Sequence, residues 1–565
     1  MNTLDYIVLV GTLVSIAAYG LWRTRGRRDL HGYLKGAGNT PWFVIGLSIM
    51  ATQASSTTFL STPGQGFESG LGFVQNYFGA PLALIVIAIV FVPIYRRLNV
   101  YTAYEFLGKR FDQKTRLLGA ALFLVQRGIG AAITIYAPAI VLSTVMGWSL
   151  NATILCTGAL VLIYTAVGGS DAVNLTQKYQ IGVIFLGMFA AFGVLVSKLP
   201  EWLSFGDALT VAGGLKKLEA VDFSFDVHKR YTLWSGIFGG MFLALSYFGT
   251  DQSQVQRYLS GGSVRESRLG LMFNGVFKIP MQFFILLLGA LVFVFYQFER
   301  PPIFFNQTAW QQHARGESAE KMHALETNFA AAHAQRRDLL KAWIEAKHSG
   351  DPARIESARS AALAANDRAE AIRTEAKKAM SPEPGKSAKD SDYVFITFVL
   401  DYLPHGLIGL LVTVFFAAAL SSKAGELNAL GSTTTVDLYR HVIRRDAADA
   451  HYVIASKWFT AGWGVVAIAL ALCATLTENL IEFTNIVGSI FYGVPLGLFL
   501  TAFFLEKVGG TAVFWGALIA QVLVIVCYFA TDIGYLWLNP LGCGLCMLFG
   551  VILQAVGGEK KLSFA

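Results

Sequence analysis

Two short stretches hold the residues best able to ligate a cation. Ala51-Thr52-Gln53-Ala54-Ser55-Ser56-Thr57-Thr58 is polar inside an otherwise apolar run, and Ala417-Ala418-Ala419-Leu420-Ser421-Ser422 closes a second run with two hydroxyls. A hard cation such as sodium needs about five or six oxygen ligands at short range; an unwound helix offers free backbone carbonyls, and hydroxyls on a facing helix supply the rest. Ala51 and Ala54 lie three apart on one helix face, and Ala418, Ser421 and Ser422 share a face at i, i+3 and i+4. The same small residues would also serve tight helix packing, and spacing alone leaves both readings open.

Two further residues carry charge where the chain is apolar. Arg127 lies about ten residues into its run, roughly 15 Å from the end at helical rise. An arginine at that depth is costly and marks a functional site by default. Its planar fork suits a carboxylate held by two parallel hydrogen bonds, from a small carboxylate or an acidic sugar; pairing with helix carbonyls, or snorkelling to the nearer face, is the alternative. Lys278, just before Pro280, suggests a gating or structural pair more than direct contact with a solute. His31, His405, His441 and His451 have no metal-ligand spacing, and no nucleophile–base set appears. The five cysteines, including Cys543 and Cys546 of a lone CxxC, read as packing residues, so the chain does not look like an enzyme.

These residues need elements that hold them inside a bilayer. Of 565 residues 54% are hydrophobic and 15% charged, too little polar surface for a soluble chain of this size. The net charge of +8 is accounted for by Lys and Arg in short loops and does not point to nucleic acid. Thirteen candidate spans run near 4–22, 41–61, 77–97, 117–146, 150–168, 178–198, 233–250, 268–297, 393–421, 453–475, 481–505, 511–530 and 533–556. Arg23, Arg25, Arg27 and Arg28 follow the first of them. By the positive-inside rule the N-terminus lies outside and, with an odd number of crossings, the C-terminus in the cytoplasm; no cleavable signal peptide is expected. Residues 199–232 read as a polar outside loop. Residues 299–392 read as an outside insertion built on a charged helical hairpin, its two arms near 316–348 and 352–379 split by Gly350-Asp351-Pro352. The spans through Ala51–Gly64 and Gly249–Gln252 are interrupted by polar residues, as two broken helices of an inverted repeat would be.

Four ordered motifs resemble those of the sodium:solute symporter family. They are Asn99-Val100-Tyr101-Thr102-Ala103-Tyr104-Glu105-Phe106 with Lys109-Arg110-Phe111; Tyr164-Thr165-Ala166-Val167-Gly168-Gly169; Thr250-Asp251-Gln252 through Gln256-Arg257; and Ala418–Ser422 continued by Leu427-Asn428, Ser432-Thr433 and Val436-Asp437-Leu438-Tyr439. The resemblance covers nearly the whole chain except 299–392. It implies an all-α membrane protein of thirteen transmembrane helices: a LeuT-type inverted 5+5 repeat with one extra helix before it and two after. Residues 1–298 would carry helices 0–7 (first repeat 41–198, second from 233), 299–392 the periplasmic insertion, and 393–565 helices 8–12.

The same resemblance implies sodium ligands at the carbonyls of Ala51, Ala54 and Ala418 and the hydroxyls of Ser421 and Ser422. Gln177, in Leu175-Thr176-Gln177-Lys178-Tyr179-Gln180, stands where many members carry an aspartate tied to a second sodium or to coupling; a neutral amide there predicts one sodium per cycle. Positions facing solute in the family correspond to Ser55, Thr58, Tyr77, Tyr247 and Asn485, with Arg127 added from its own chemistry. The sugar-binding pattern is largely absent, because Thr58, Tyr77, Ala244 and Asn485 occupy its places. The expected activity is sodium-coupled import of a small organic solute across a bacterial inner membrane by alternating access, the solute being a carboxylate or acidic sugar. A neutral sugar or polyol is the alternative, with a channel or membrane sensor behind both. The partners implied are sodium, the solute and the lipid bilayer, with no nucleic acid.

Overall fold

A computed structural model describes residues 1–24, 41–98, 102–315, 319–381, 387–473 and 478–557; within its helices the side chains of residues 13, 16–24, 163–164, 166–180 and 421 are not described. The described residues form helices and no strands. In chain order the α-helices are α1 Thr3–Thr24, α2 Trp42–Gln53, α3 Ser56–Ser69, α4 Ala80–Val86, α5 Val92–Leu98, α6 Ala103–Arg110, α7 Gln113–Met146, α8 Leu150–Ser197, α9 Phe205–Gly214, α10 Gly240–Gly249, α11 Gln252–Leu259, α12 Val264–Phe298, α13 Gln307–His313, α14 Ala319–Ser349, α15 Pro352–Ala379, α16 Ser391–Tyr402, α17 Leu407–Thr433, α18 Asp449–Cys473, α19 Leu480–Phe504, α20 Gly510–Ala530 and α21 Leu538–Gly557. Among the described residues, eight helical stretches are long and apolar enough to cross a membrane, and shorter apolar helices accompany them. The chain is a multi-pass membrane protein.

Both interrupted spans break where the polar residues stand. The first leaves helical geometry at Ala54 (φ −78°, ψ 58°) and Ser55 (φ −73°, ψ 171°). The second breaks at Thr250 (φ −123°, ψ −18°) and Asp251 (φ −79°, ψ 118°). Freed backbone groups at such a break need partners inside the protein. At the second break the hydroxyl of Tyr95 donates to the carbonyl of Gly249 at 2.7 Å and that of Tyr104 to Thr250 at 2.9 Å.

The stretch 150–198, expected as two spans, lies in helix α8, Leu150–Ser197, whose apolar parts are Leu150–Leu162 and Ile181–Ser197. Two sequence expectations are corrected. The stretch 393–421, expected as one span, is two helices: α16 ends before Leu403, and Gly406 (φ +88°) turns the chain into α17. Asp5 of α1 fastens that turn, its carboxylate accepting from the N–H groups of Gly406 at 2.6 Å and Gly409 at 3.2 Å. Finally, the loop 199–232 is not wholly irregular, since it contains α9.

The insertion does form a hairpin, α14 and α15 packed on each other. Gly350 supplies the left-handed turn (φ +75°), and Asp351 caps α15 by accepting from the N–H of Ala353 and Arg354 at 3.0 and 3.4 Å. Its last residues are not separate from the bundle: Asp390 and Ser391 are buried, and α16 packs along α3.

Two large apolar clusters fill the bundle. One joins α2, α3, α8, α12, α16 and α17, and the other α4 to α7, α10 and α19 to α21. Contact between α3 and α12 is backbone against backbone: a Cβ on Gly289 would lie 2.0 Å from the carbonyl oxygen of Pro63, and one on Gly66 2.3 Å from that of Leu286. Overpacking of this kind costs typically 1–3 kcal/mol. Gly289→Val is therefore expected to lower the thermal unfolding midpoint of purified protein by several degrees. Gly193→Ala, at a position with no atom within 4 Å of the new methyl, should leave it in place.

Candidate functional site

The first break faces α17. Ala51, Ala54, Ala418 and Ser422 are all buried, and the Ser422 hydroxyl donates across the gap to the carbonyl of Thr52 at 3.3 Å. The carbonyl of Gln53 is met from beyond the break by the Thr58 hydroxyl at 2.8 Å. Backbone carbonyls at the break and a hydroxyl-bearing helix thus lie side by side, the kinds of oxygen a hard cation takes as ligands. The side chains of Ser421 and Gln177 lie outside the described ones.

Beside this junction is a cavity of about 120 Å³. Ser55, Thr58, Tyr77, Arg127, Tyr247, Asn485 and Lys278 all line it, so every solute-facing expectation falls on one wall or another of a single chamber, and Lys278 joins them. Several polar atoms on that lining are buried and have no hydrogen-bond partner among the described residues: Nε2 of Gln53, the Thr57 hydroxyl, Nδ2 of Asn76 and Asn485, and both amide atoms of Asn274. Each such atom costs about 1–3 kcal/mol if left dry, so the chamber is built to hold water or a polar solute.

The two buried cations are placed differently. Arg127 pairs with Asp251 at the second break and with Glu426 of α17 at 3.4 Å. It also donates to the Tyr492 hydroxyl at 3.1 Å and lies 5.4 Å from the Tyr247 ring centroid. Glu426 in turn pairs with Lys423. Arg127, Asp251, Glu426 and Lys423 make a charge-balanced quartet, each at most 5% exposed, that ties α7, the second break and α17 together, with α19 joined through Tyr492. Arg127 thus has internal carboxylates in place of the helix carbonyls or the snorkelling weighed from sequence.

Lys278 has no such partner. It is 5% exposed, its ammonium sits 5.0 Å over the Tyr77 ring, and it makes no ion pair or hydrogen bond to another described residue. The pairing expected of it from sequence is not there; it is the surplus positive charge of the chamber.

Sequence reading missed Asp251, Glu426 and Lys423 as a unit, and Asn274 as a lining residue. The signal available was Lys423 and Glu426 at i, i+3 inside an apolar helix, where two charges persist only when paired.

The profile of the sodium:solute symporter family matches residues 33–314 and 376–520. A human sodium/iodide cotransporter is 32% identical over 297 residues, which is 52% of this chain and 45% of that protein. Human sodium-coupled monocarboxylate transporter 1 is 33% identical over 273 residues, 48% of this chain and 44% of the other. The matched part thus spans under half the length of these two relatives. A sodium/sialic acid symporter of Proteus mirabilis (strain HI4320) is 21% identical but aligns over 99% of this chain and 96% of its own. Among solved structures, the substrate-bound outward-open state of a Na+-coupled sialic acid symporter superposes with a TM-score of 0.74 at 20% identity, covering 98% of both chains.

Proposed function

The chain belongs to the sodium:solute symporter family, and on that premise we propose that it couples inward sodium flow to import of a small organic anion. The single observation that carries the anionic solute is Lys278, a buried ammonium facing a polar chamber with no carboxylate beside it. A charge so placed is stable only when an anion or ordered water answers it. Names of relatives point the same way: one is a monocarboxylate transporter, another a sialic acid symporter.

Sodium binds between the carbonyls of Ala51, Ala54 and Ala418 and the hydroxyls of Ser421 and Ser422. The Ser422–Thr52 contact supports this placement by bringing α17 onto the broken helix. Sodium joins α2 to α17, favours the outward-facing state and completes the solute chamber; its departure on the inside lets the two helices part. The shift between states can be no larger than the difference in sodium affinity between them. Solute is held by Lys278 at its carboxylate, with Ser55, Thr58, Tyr77, Tyr247 and Asn485 around the remainder. Arg127 acts through the quartet, holding the second break to α17, so its part is to position the chamber floor. With Gln177 in place of an aspartate, one sodium moves per cycle.

The membrane arrangement belongs to the same proposal. The chain crosses a bacterial inner membrane thirteen times, ten of the helices forming two inverted five-helix repeats, with the N-terminus and the α14–α15 hairpin outside and the C-terminus inside.

A thermal-shift screen of carboxylates, sugars, amino acids and vitamins, with and without sodium, tests the reading. Carboxylates are expected to stabilise the protein, and more so with sodium present. Stabilisation by neutral sugars or polyols alone would overturn the anionic assignment. Separately, Ser422→Ala removes one oxygen ligand, a loss of about 1.4 kcal/mol or tenfold. The sodium concentration for half-maximal uptake is expected to rise by about that factor, with the maximal rate little changed.

A further inference from the structure

The family match stops at residue 314 and resumes at 376, so most of the α14–α15 hairpin lies outside what this chain shares with the family. The hairpin is nevertheless built into the bundle at the end where α3 and α12 finish and α19 begins. The guanidinium of Arg373, on the last turns of α15, lies 5.2 Å from the Phe67 ring and 4.8 Å from the Phe305 ring, and pairs with Asp390 at 3.2 Å. Lys377 bridges Asp390 at 3.1 Å and Glu68 of α3 at 3.2 Å.

Between these elements is a chamber of about 230 Å³, separate from the central cavity. Four cations line it, Lys217, Arg373, Lys377 and Lys389, against three carboxylates, Glu68, Glu370 and Asp390. The surplus falls on Lys217. Its ammonium donates to the backbone carbonyl of Glu68 at 2.6 Å and lies 4.3 Å over the Phe293 ring, and it makes no ion pair with another described residue. Arg373 is 4% exposed, and its Nε has no hydrogen-bond partner among the described residues. A second chamber, of about 360 Å³, shares Glu68 and Lys389 with the first and adds Lys229, Arg230 and Glu482. Glu482 stands in the first turn of α19, within three residues of Ile481, Thr484 and Asn485, which line the central cavity.

We propose that the hairpin creates a second, outer binding site for a small organic carboxylate, held by Lys217 and Arg373, on the approach to the central cavity. This rests on the reading of the transported solute as an organic anion. The outer site needs no sodium, because the Ser422–Thr52 junction is not part of it. It collects the anion beside the α3 and α19 ends from which the central cavity is entered.

Burial holds the Lys217 ammonium down to about 8, with Glu68 on α3 and Glu370 on α15 acting to raise it and Arg373 and Lys377 on α15 to lower it; Lys389 and Asp390 line the same chamber. Anion affinity at the outer site is therefore full below pH 8 and falls as pH rises through it.

The test uses full-length protein in nanodiscs and radiolabelled pyruvate in equilibrium dialysis. Wild type is expected to bind two pyruvates per chain in sodium. Lys278→Met should retain one saturable, sodium-independent site, and adding Lys217→Met should weaken that site at least tenfold. Single Lys217→Met should keep the sodium-dependent central site, which also shows that the variant folds. If Lys278→Met shows no saturable binding, or if Lys217→Met leaves the sodium-independent site unchanged, the outer site is overturned while the central one stands. Should wild type bind no pyruvate while binding neutral solutes, both this inference and the anionic reading fall.

Discussion

Replacing Lys278 with methionine is expected to lower kcat/KM for an anionic solute by at least about 100-fold while leaving the sodium dependence of whatever uptake remains near that of the wild type. A buried, water-poor contact between ammonium and carboxylate is stronger than a neutral hydrogen bond, and truncating one partner of such a pair costs about 2–5 kcal/mol. About 2.7 kcal/mol is a factor of 100. Methionine keeps most of the length and apolar volume of the side chain, so the cavity wall beside Tyr77 is preserved and the charge alone is removed. Uptake in proteoliposomes over a range of solute and sodium concentrations reads the effect. An unchanged kcat/KM for the carboxylate would separate Lys278 from the solute.

The second large effect is on the quartet. Arg127→Gln leaves Asp251 without its cation and Glu426 with only Lys423. Stranding a buried carboxylate in this way costs about 3–5 kcal/mol, enough to lose most of the folded protein or to lower its unfolding midpoint by many degrees. The paired change Arg127→Gln with Asp251→Asn removes one charge of each sign and leaves Lys423–Glu426 intact, so much of the stability should return. Transport is not expected to return with it, because the tie between the second break and α17 is gone. If the single variant is as stable as the wild type, the quartet does not hold these elements together. If the double variant is no better than the single one, charge balance is not what holds it.

The parts of the fold that were legible from sequence are those with a local cause. Polar residues inside apolar runs located both helix breaks to within a few residues, because backbone freed by a break must be answered nearby and Thr58 and Asp251 do so. Gly350-Asp351-Pro352 located the hairpin turn by the same logic. The parts that were not legible depend on tertiary contacts. The break at Leu403–Gly406 rests on one glycine at positive φ and on the grip of Asp5, nearly 400 residues earlier, which no periodicity reveals.

The site divides in the same way. Residue type and depth were enough to single out Arg127 and Lys278, yet their partners come from distant positions. Arg127 was expected to await a solute and is met by Asp251 and Glu426; Lys278 was expected to be paired and stands alone in the chamber. The two cations exchange roles once the helices are assembled, and in the proposed function that exchange moves the solute carboxylate from Arg127 to Lys278.

Sodium coupling is tested most directly by accumulation of a labelled carboxylate in proteoliposomes under an imposed inward sodium gradient, with potassium in place of sodium as the control and the membrane potential clamped. Accumulation above the outside concentration is expected with sodium, none with potassium, and a shift to higher sodium in Ser422→Ala. Accumulation that is equal in the two salts, or equilibration without any uphill phase, would contradict that coupling.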